Sequence, residues 1–202
     1  MKLYTAKATP FGRTVEIVAH EIGLHEDMEI VATAVAPGKP NDEYQTLNPL
    51  KKIPALVTED GTLIADSGLI SEYLAARVGD TALFGVNDPN RWAMLNDYML
   101  AKGAADVFVA ARYETFARPE EFRWKDWSDD MLKKGHAVLA RFDATPPESA
   151  GRITIAQIAL GAVLGYLDFR FPQEEWRNRY PALAKWAAPI HERPSFMATR
   201  PD

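Results

Sequence analysis

The residues best placed for chemistry are polar side chains at predicted helix starts, and the clearest pair is Asp66 and Ser67. Ser67 is predicted to be the N-cap of a helix, and Asp66 lies where a carboxylate favours a helix start. Before them come two short apolar runs, residues 53–57 and 62–65, and the Asp-Gly pair between them is typical of a β-hairpin. Because Pro54 has no N–H, the start of the first strand cannot be fully paired on both sides. This stretch therefore places an open strand edge beside a helix N-terminus that attracts an anion, and a short peptide with a free carboxylate could use both.

The composition limits the chemistry that the chain can do by itself. It has 202 residues and no cysteine, which excludes disulfides, zinc–thiolate sites and a cysteine nucleophile of its own. Any thiol in its chemistry must therefore come from a ligand. The formal net charge of -5 argues against nucleic acid and anionic membranes as main partners. No apolar run of about 20 residues predicts a membrane span, and the four histidines lack metal-ligand spacing, so we expect a cytoplasmic protein without a metal site.

The first part of the chain alternates strand and helix patterns. Strands are predicted at residues 2–6 and 29–35, and a helix that begins after Thr9 connects them. The hairpin follows, and then a helix that extends to Arg77. This order predicts an α/β domain over residues 1–78, with the thioredoxin-like pattern of a mixed four-stranded sheet and helices.

The rest of the chain carries helix patterns. Turn residues dominate residues 79–89, which we interpret as a linker, and residues 90–202 are predicted to form an all-helical domain. The segment 154–167 is almost wholly apolar and should be the buried central helix. Further helices are predicted at residues 90–116, from Ser128, at residues 181–192 with a bend or an early end at Pro189, and from Pro194. The fold class is therefore α/β followed by all-α.

The sequence Ile-Pro-Ala-Leu beginning at Ile53, followed by Asp66 and Ser67, resembles the glutathione-binding core of the glutathione transferase family. In that family the proline is cis, the residue before it pairs its backbone with the cysteinyl part of glutathione, and the acid–serine pair holds the γ-glutamyl end. The resemblance thus implies that Ile53, Pro54, Asp66 and Ser67 bind glutathione. It also implies that Lys51 reaches the glycyl carboxylate, because related sequences place a His or Lys near this position.

The resemblance covers nearly the whole chain. Thr154 and Gln157 occupy the place of the family's buried Ser/Thr-x-x-Asp capping box, and the sequence from Pro181 onward resembles bacterial members. The chain is therefore similar to bacterial glutathione transferases of the serine/threonine type, which implies a homodimer.

Thr9 is the predicted catalytic residue. In serine-type transferases the residue before the first-helix proline donates a hydrogen bond to the glutathione thiolate, and here that residue is Thr9. Lowering a thiol pKa from about 8.5 by two units requires about 2.7 kcal/mol. A helix N-terminus supplies roughly 0.3–1 kcal/mol and a hydrogen bond to a charged acceptor roughly 1.5–3 kcal/mol, so the two together suffice. The alternatives are that Thr9 is a plain helix cap or that Tyr4 donates instead, as in tyrosine-type members. Arg13 is either a solvated residue or a cation that neutralises a bound carboxylate.

The resemblance implies an enzyme that conjugates the thiol of glutathione, its co-substrate, to small apolar electrophiles. Glutathione-dependent disulfide reduction at the same site is the second hypothesis, because some bacterial members with threonine at this position are such reductases. Those members carry asparagine where this chain has Phe11, so the match is partial. A non-catalytic binding module of the same fold is the third hypothesis. The electrophile should bind between the domains, near aromatic and basic residues that are either pocket or core, namely Tyr98, Phe108, Arg112, Tyr113, Trp124 and Trp127.

Overall fold

The computed structural model describes residues 1–148 and 151–201, so residues 149, 150 and 202 of the predicted helical half lie outside the described residues. The first half of the chain contains strands and helices in alternation. They are β1 Lys2–Thr5, α1 Pro10–Glu21, β2 Glu29–Ala32, α2 Asp42–Leu47, β3 Ala55–Val57, β4 Leu63–Ile64 and α3 Ser67–Arg77. A short 3-10 turn, His25–Asp27, precedes β2.

The strands form one mixed sheet in the order β2-β1-β3-β4. β1 is parallel to β2 and antiparallel to β3, and β3 is antiparallel to β4. Leu3 of β1 lies opposite Leu56 of β3, and both side chains are fully buried. The four-stranded mixed sheet with helices, predicted for this half of the chain, is confirmed.

The predicted open strand edge is wrong for β3 itself, because β3 lies inside the sheet with a neighbour on each side. β4 has only two residues, so Ala55 at the start of β3 pairs with Tyr4 of β1 alone. The open backbone therefore lies just before the strand, at Ile53 and Pro54. β2 also ends earlier than predicted, at Ala32, because its neighbour β1 ends opposite it at Thr5.

The second half of the chain is helical, as predicted. Its helices are α4 Arg91–Phe116, α5 Lys125–Ala144, α6 Ile155–Arg170, α7 Trp176–Arg179, α8 Pro181–His191 and α9 Pro194–Ala198. Two 3-10 turns, Glu120–Phe122 and Pro172–Glu174, lie between them. α8 contains Pro189 in its last turn and ends at His191, close to the predicted end.

The start of α5 was predicted wrongly, at Ser128, whereas the helix begins at Lys125. A carboxylate from the preceding helix explains the difference. Glu114 of α4 accepts a hydrogen bond from the Trp124 N–H at 2.7 Å and another from Arg118 Nε at 2.8 Å. This contact fixes the chain just before α5, so that the helix starts one turn before the Ser-Asp-Asp signal.

α1 connects the two halves because it packs on both. One of its faces contributes Val15 to a cluster with Leu3 and Ile70 beneath the sheet. The other face contributes Ile17 and Val18 to the large core of the helical half, where α1 packs on the central helix α6. Each such side chain contributes roughly 1.5–3 kcal/mol when it is fully buried. The start of α1 is thereby held where the two halves meet.

The segment predicted as a linker, residues 79–89, contains neither helix nor strand. It is nevertheless packed against the protein, because Leu83 and Phe84 are buried and the Leu83 carbonyl accepts a hydrogen bond from the Ile155 N–H at 3.0 Å. The domain boundaries stay predictions. Among the described residues, no helix is both long and apolar enough to cross a membrane.

Candidate functional site

The start of α1 presents unused hydrogen-bond donors. Thr9 is the N-cap, with extended backbone, but its side chain makes no capping bond, and Pro10 occupies the first helical position. Within residues 1–148 and 151–201, neither the Thr9 hydroxyl nor the N–H groups of Phe11 and Gly12 have a hydrogen-bond partner. With no acidic side chain in its first turn, α1 can offer these donors to an anion.

A close approach of β1 fixes this helix start. A Cβ placed on Gly12 would lie 1.9 Å from Thr5 Oγ1 and 2.9 Å from Thr9 Cγ2, so only glycine fits. The methyl group of Thr9 therefore packs against Gly12. The methyl group, which limits the side chain's rotamers, thus has a defined packing site beside the helix.

The start of α3 is arranged differently, and here the predicted N-cap is corrected. Asp66, rather than Ser67, is the N-cap, and its Oδ1 accepts a hydrogen bond from the Gly68 N–H at 3.0 Å. Ser67 is the first helical residue and is only 2% exposed. Its carbonyl accepts from Ser71 Oγ at 2.7 Å, and its own side chain lies near the Tyr98 hydroxyl.

A lysine from the helical half lies beside this helix start. Lys102 Nζ is 3.2 Å from Asp66 Oδ2, and it lies over the ring of Phe11 at 5.6 Å from the centroid. Burial works to raise the pKa of Asp66, but Lys102 and the Gly68 N–H outweigh it, so the net shift is downward. Asp66 is therefore ionised at neutral pH and is held against the α3 start.

The segment before β3 exposes its backbone. The Ile53–Pro54 bond is cis, as the family resemblance implies, and the Ile53 backbone has no hydrogen bond to the described residues. The preceding Lys52 carbonyl accepts from Tyr44 Oη at 2.7 Å and Asn48 Nδ2 at 2.8 Å. Tyr44 and Asn48 were not predicted to support the proline loop, because no local sequence pattern relates them to it.

Lys51 lies next to this loop in an unusual backbone conformation, with φ of 50°. Its Nζ donates to the Lys39 carbonyl at 3.0 Å, which fixes the amine beside the loop that follows β2. Lys51 is thus near Ile53 in the structure, and its predicted contact with a carboxylate stays a prediction.

Arg13 has neither of the two predicted roles, because it is buried inside the protein. Its Nη2 donates to the Phe196 carbonyl at 3.0 Å and its Nε to Thr199 Oγ1 at 3.4 Å. Burial lowers the pKa of Arg13 to about 10. Arg13 therefore connects α1 to α9, and no local pattern in the sequence indicates this role, because its partners lie 183 and 186 residues further along the chain.

The candidates for the electrophile pocket separate into core and surface. Phe108 is fully buried, Tyr98 is 6% exposed and Trp124 is 64% exposed. Of these candidates, Tyr98 borders a narrow cavity beside the start of α1, whose other lining residues are Pro10, Phe11, Thr14, Ser67, Lys102, Ala105 and Ala159. This cavity lies between the two halves, beside both helix starts.

The predicted residues thus lie in three groups: the donor-rich start of α1, the start of α3 capped by Asp66, and the open backbone at Ile53. Within the described ranges, no group of three or more His, Cys, Asp or Glu side chains could hold a metal ion. A mixed sheet with a cis-proline loop, joined to a helical half, defines a thioredoxin-like protein with a helical extension.

Comparison with known proteins gives a narrower assignment. Residues 8–77 match the family model "Glutathione S-transferase, N-terminal domain" and residues 125–188 match "Glutathione S-transferase, C-terminal domain". The chain belongs to the glutathione transferase family.

Several relatives cover the full length of the chain. A glutathione transferase family member from Pseudomonas fluorescens Pf-5, solved with bound glutathione, is 35% identical over 100% of this chain and 98% of its own, with a TM-score of 0.93. A structure from the same organism with bound S-(propanoic acid)-glutathione is 36% identical over 100% of both chains, with a TM-score of 0.90. The Escherichia coli K12 "Uncharacterized GST-like protein YibF" is 27% identical over 100% of this chain and 98% of its own length.

Proposed function

We propose that the protein is a glutathione transferase that joins the thiol of glutathione to small apolar electrophiles. The observation that supports this most is the start of α1, where the Thr9 hydroxyl and two backbone N–H groups have no partner among the described residues. A relative that is 36% identical binds an S-substituted glutathione, which is the type of product that conjugation makes.

In this proposal the start of α1 stabilises the thiolate. A shift of two pKa units requires about 2.7 kcal/mol. The helix N-terminus and one hydrogen bond from Thr9 together supply roughly 2–4 kcal/mol, so no general base is needed. Catalysis is then mostly stabilisation of the nucleophile and its positioning against the electrophile.

The other predicted residues hold the rest of glutathione. The open backbone of Ile53, before cis Pro54, pairs with the cysteinyl unit. Asp66 and Ser67 hold the γ-glutamyl end at the start of α3, and Lys51 pairs with the glycyl carboxylate. These roles assign the three groups of the site to the three residues of one tripeptide.

Disulfide reduction stays the second candidate, because Thr9 replaces serine at the sulfur position. The chain has no cysteine, so both reducing equivalents would come from glutathione thiols. One molecule would attack the disulfide substrate, and a second would resolve the mixed disulfide to give oxidised glutathione and a thiol product.

We also propose that the protein is a homodimer. Apolar side chains on α3 and α4 are exposed, including Leu69, Trp92 and Met99. Trp92 and Met99 line an apolar groove of about 410 Å³ between these helices, and such an apolar surface is typical of an interface. Sedimentation equilibrium would test this, and cell fractionation would test the predicted cytoplasmic location.

Isothermal titration with reduced and oxidised glutathione tests the site before its chemistry. We expect binding of reduced glutathione at millimolar concentrations or below, and no heat from either form would overturn the proposal. Conjugation of a chloronitrobenzene and reduction of a disulfide substrate, assayed side by side, then separate the two reactions. Binding without either activity would favour the non-catalytic module.

A further inference from the structure

An ion cluster connects the helical half to the start of α3. Lys102 Nζ is 3.2 Å from Asp66 Oδ2 and 3.6 Å from Asp106 Oδ2. The Lys102 side chain is 19% exposed, whereas those of Asp66 and Asp106 are 60% and 57% exposed. Two carboxylates thus share one ammonium group, and both carboxylates remain open to a ligand.

The same face of α4 supports the first turn of α3. Tyr98, one turn before Lys102, is 6% exposed, and its buried hydroxyl has no hydrogen-bond partner in the described structure. A Cβ on Gly68 would lie 2.6 Å from this hydroxyl, so α4 fits against α3 only because residue 68 is glycine. The Tyr98 hydroxyl also lies near the Ser67 side chain.

The charged and polar groups at the start of α3 match a zwitterion. The Ser67 hydroxyl and Lys102 are donors, whereas Asp66 and Asp106 are acceptors. An α-amino acid carries its ammonium and carboxylate on one carbon atom, so a site that binds both needs opposite charges that are themselves neighbours. The cluster has one more carboxylate than ammonium groups, which leaves a negative charge for the ligand's ammonium group. Lys102 lines the same cavity as Ser67, so both can reach one carboxylate bound there.

Extending the proposed function, we propose that Lys102 determines specificity by binding the α-carboxylate of the γ-glutamyl group together with Ser67, while Asp66 and Asp106 bind its α-ammonium group. The ligand class is then γ-glutamyl peptides with a free amino-acid head. In the absence of ligand, Lys102 keeps the Asp66 carboxylate paired at the α3 start.

A cycle of one substitution and one ligand change tests this role. Affinity is measured by calorimetry for glutathione and for 4-aminobutyryl-Cys-Gly, which lacks only the α-carboxylate, with the wild-type protein and with Lys102→Met. Loss of a charge-assisted hydrogen bond weakens binding about tenfold or more. We expect that loss for glutathione with Lys102→Met, and a change of less than about threefold for the analogue, because the analogue has no carboxylate for Lys102 to bind.

Lys133→Met on the exposed surface of α5 is the matched control, because it removes the same charge away from the site. It should leave both affinities unchanged. Lys102→Gln serves as a second neutral variant, and thermal midpoints show that each variant is folded.

The outcomes separate this inference from the proposed function. If wild-type protein binds no glutathione, both are overturned. If wild-type protein binds glutathione but Lys102→Met and Lys102→Gln weaken both ligands equally, or strengthen both by releasing Asp66, only the role of Lys102 is overturned. A selective loss for glutathione supports it.

Discussion

The starts of α1 and α3 are two helix N-termini in one candidate site, and their polar partners differ. At α1 the Thr9 hydroxyl and the first N–H groups have no partner in the described residues, and the first turn carries no acid. At α3 Asp66 caps the helix and Lys102 pairs with the cap. An open helix start suits a charge that develops on a ligand, such as a thiolate, whereas a capped and paired start suits a fixed ionic group.

The largest expected effect comes from removing the Thr9 hydroxyl at the start of α1. Thr9→Ala removes the only side-chain donor assigned to the thiolate, which should raise the pKa of bound glutathione by about 1–2 units. Conjugation near neutral pH should then slow by about 10–100-fold. Ultraviolet absorbance of the thiolate, titrated with glutathione bound, measures the shift.

Thr9→Ser is the matched control for this substitution, because it keeps the hydroxyl and removes the methyl group. It should titrate like the wild-type protein. If Thr9→Ala also titrates like the wild-type protein, the α1 start does not act through its hydroxyl, and the contrast with α3 loses its functional meaning.

The next largest effect should come from a substitution that pushes the start of α1 away from β1. In Gly12→Ala the new Cβ would lie 1.9 Å from Thr5 Oγ1, so β1 and α1 must separate, at a cost of about 1–3 kcal/mol in the free energy of unfolding. Gly103→Ala is the control, because its Cβ meets nothing within 4 Å and alanine favours a helix by about 0.5–1 kcal/mol. Urea denaturation of both variants gives the comparison, and an equally stable Gly12→Ala protein would show that the close approach is not tight.

The start of α6 extends the comparison of helix starts, because it is capped by side chains but lies at no proposed ligand site. Gln157 Oε1 accepts from the Thr154 N–H at 2.8 Å, and Nε2 donates to the Glu148 carbonyl at 2.6 Å. We expect Gln157→Ala to lose about 0.5–2 kcal/mol of stability and to keep its affinity for glutathione. An unchanged thermal midpoint would contradict the structural role of this cap.

Local signals in the sequence were sufficient for the order of elements and for selecting candidate site residues, whose roles stay predictions. Thr9 with Pro10, and Asp66 with Ser67, are recognisable because capping residues act within one helical turn. The choice between Asp66 and Ser67 as N-cap was wrong, since both residue types cap well and only the backbone geometry decides which side chain reaches the Gly68 N–H.

The other positions that the sequence did not predict depend on contacts between elements that are far apart in the chain. Arg13 is buried by α9, α5 begins early because of Glu114, and Lys102 reaches Asp66 from the other half of the chain. A lysine in a long helix is usually solvated, so its type and spacing carried no signal. Tertiary packing decided each of these positions, and single-sequence patterns do not contain it.

The smallest expected effect concerns the charge at the start of α3. Asn caps helices about as well as Asp, so Asp66→Asn should keep the bond to Gly68 and lose only the pairing with Lys102, about 0.2–1 kcal/mol for so exposed a side chain. Because the pKa of Asp66 is lower in the folded protein than in the unfolded chain, this stability is present above about pH 4 and is lost as the pH falls through the lowered value. Thermal midpoints of the two proteins should therefore differ near pH 7 and converge in acid. A difference that persists or grows in acid would mean that Lys102 does not stabilise the ionised cap, and the two helix starts would then differ in capping but not in charge pairing.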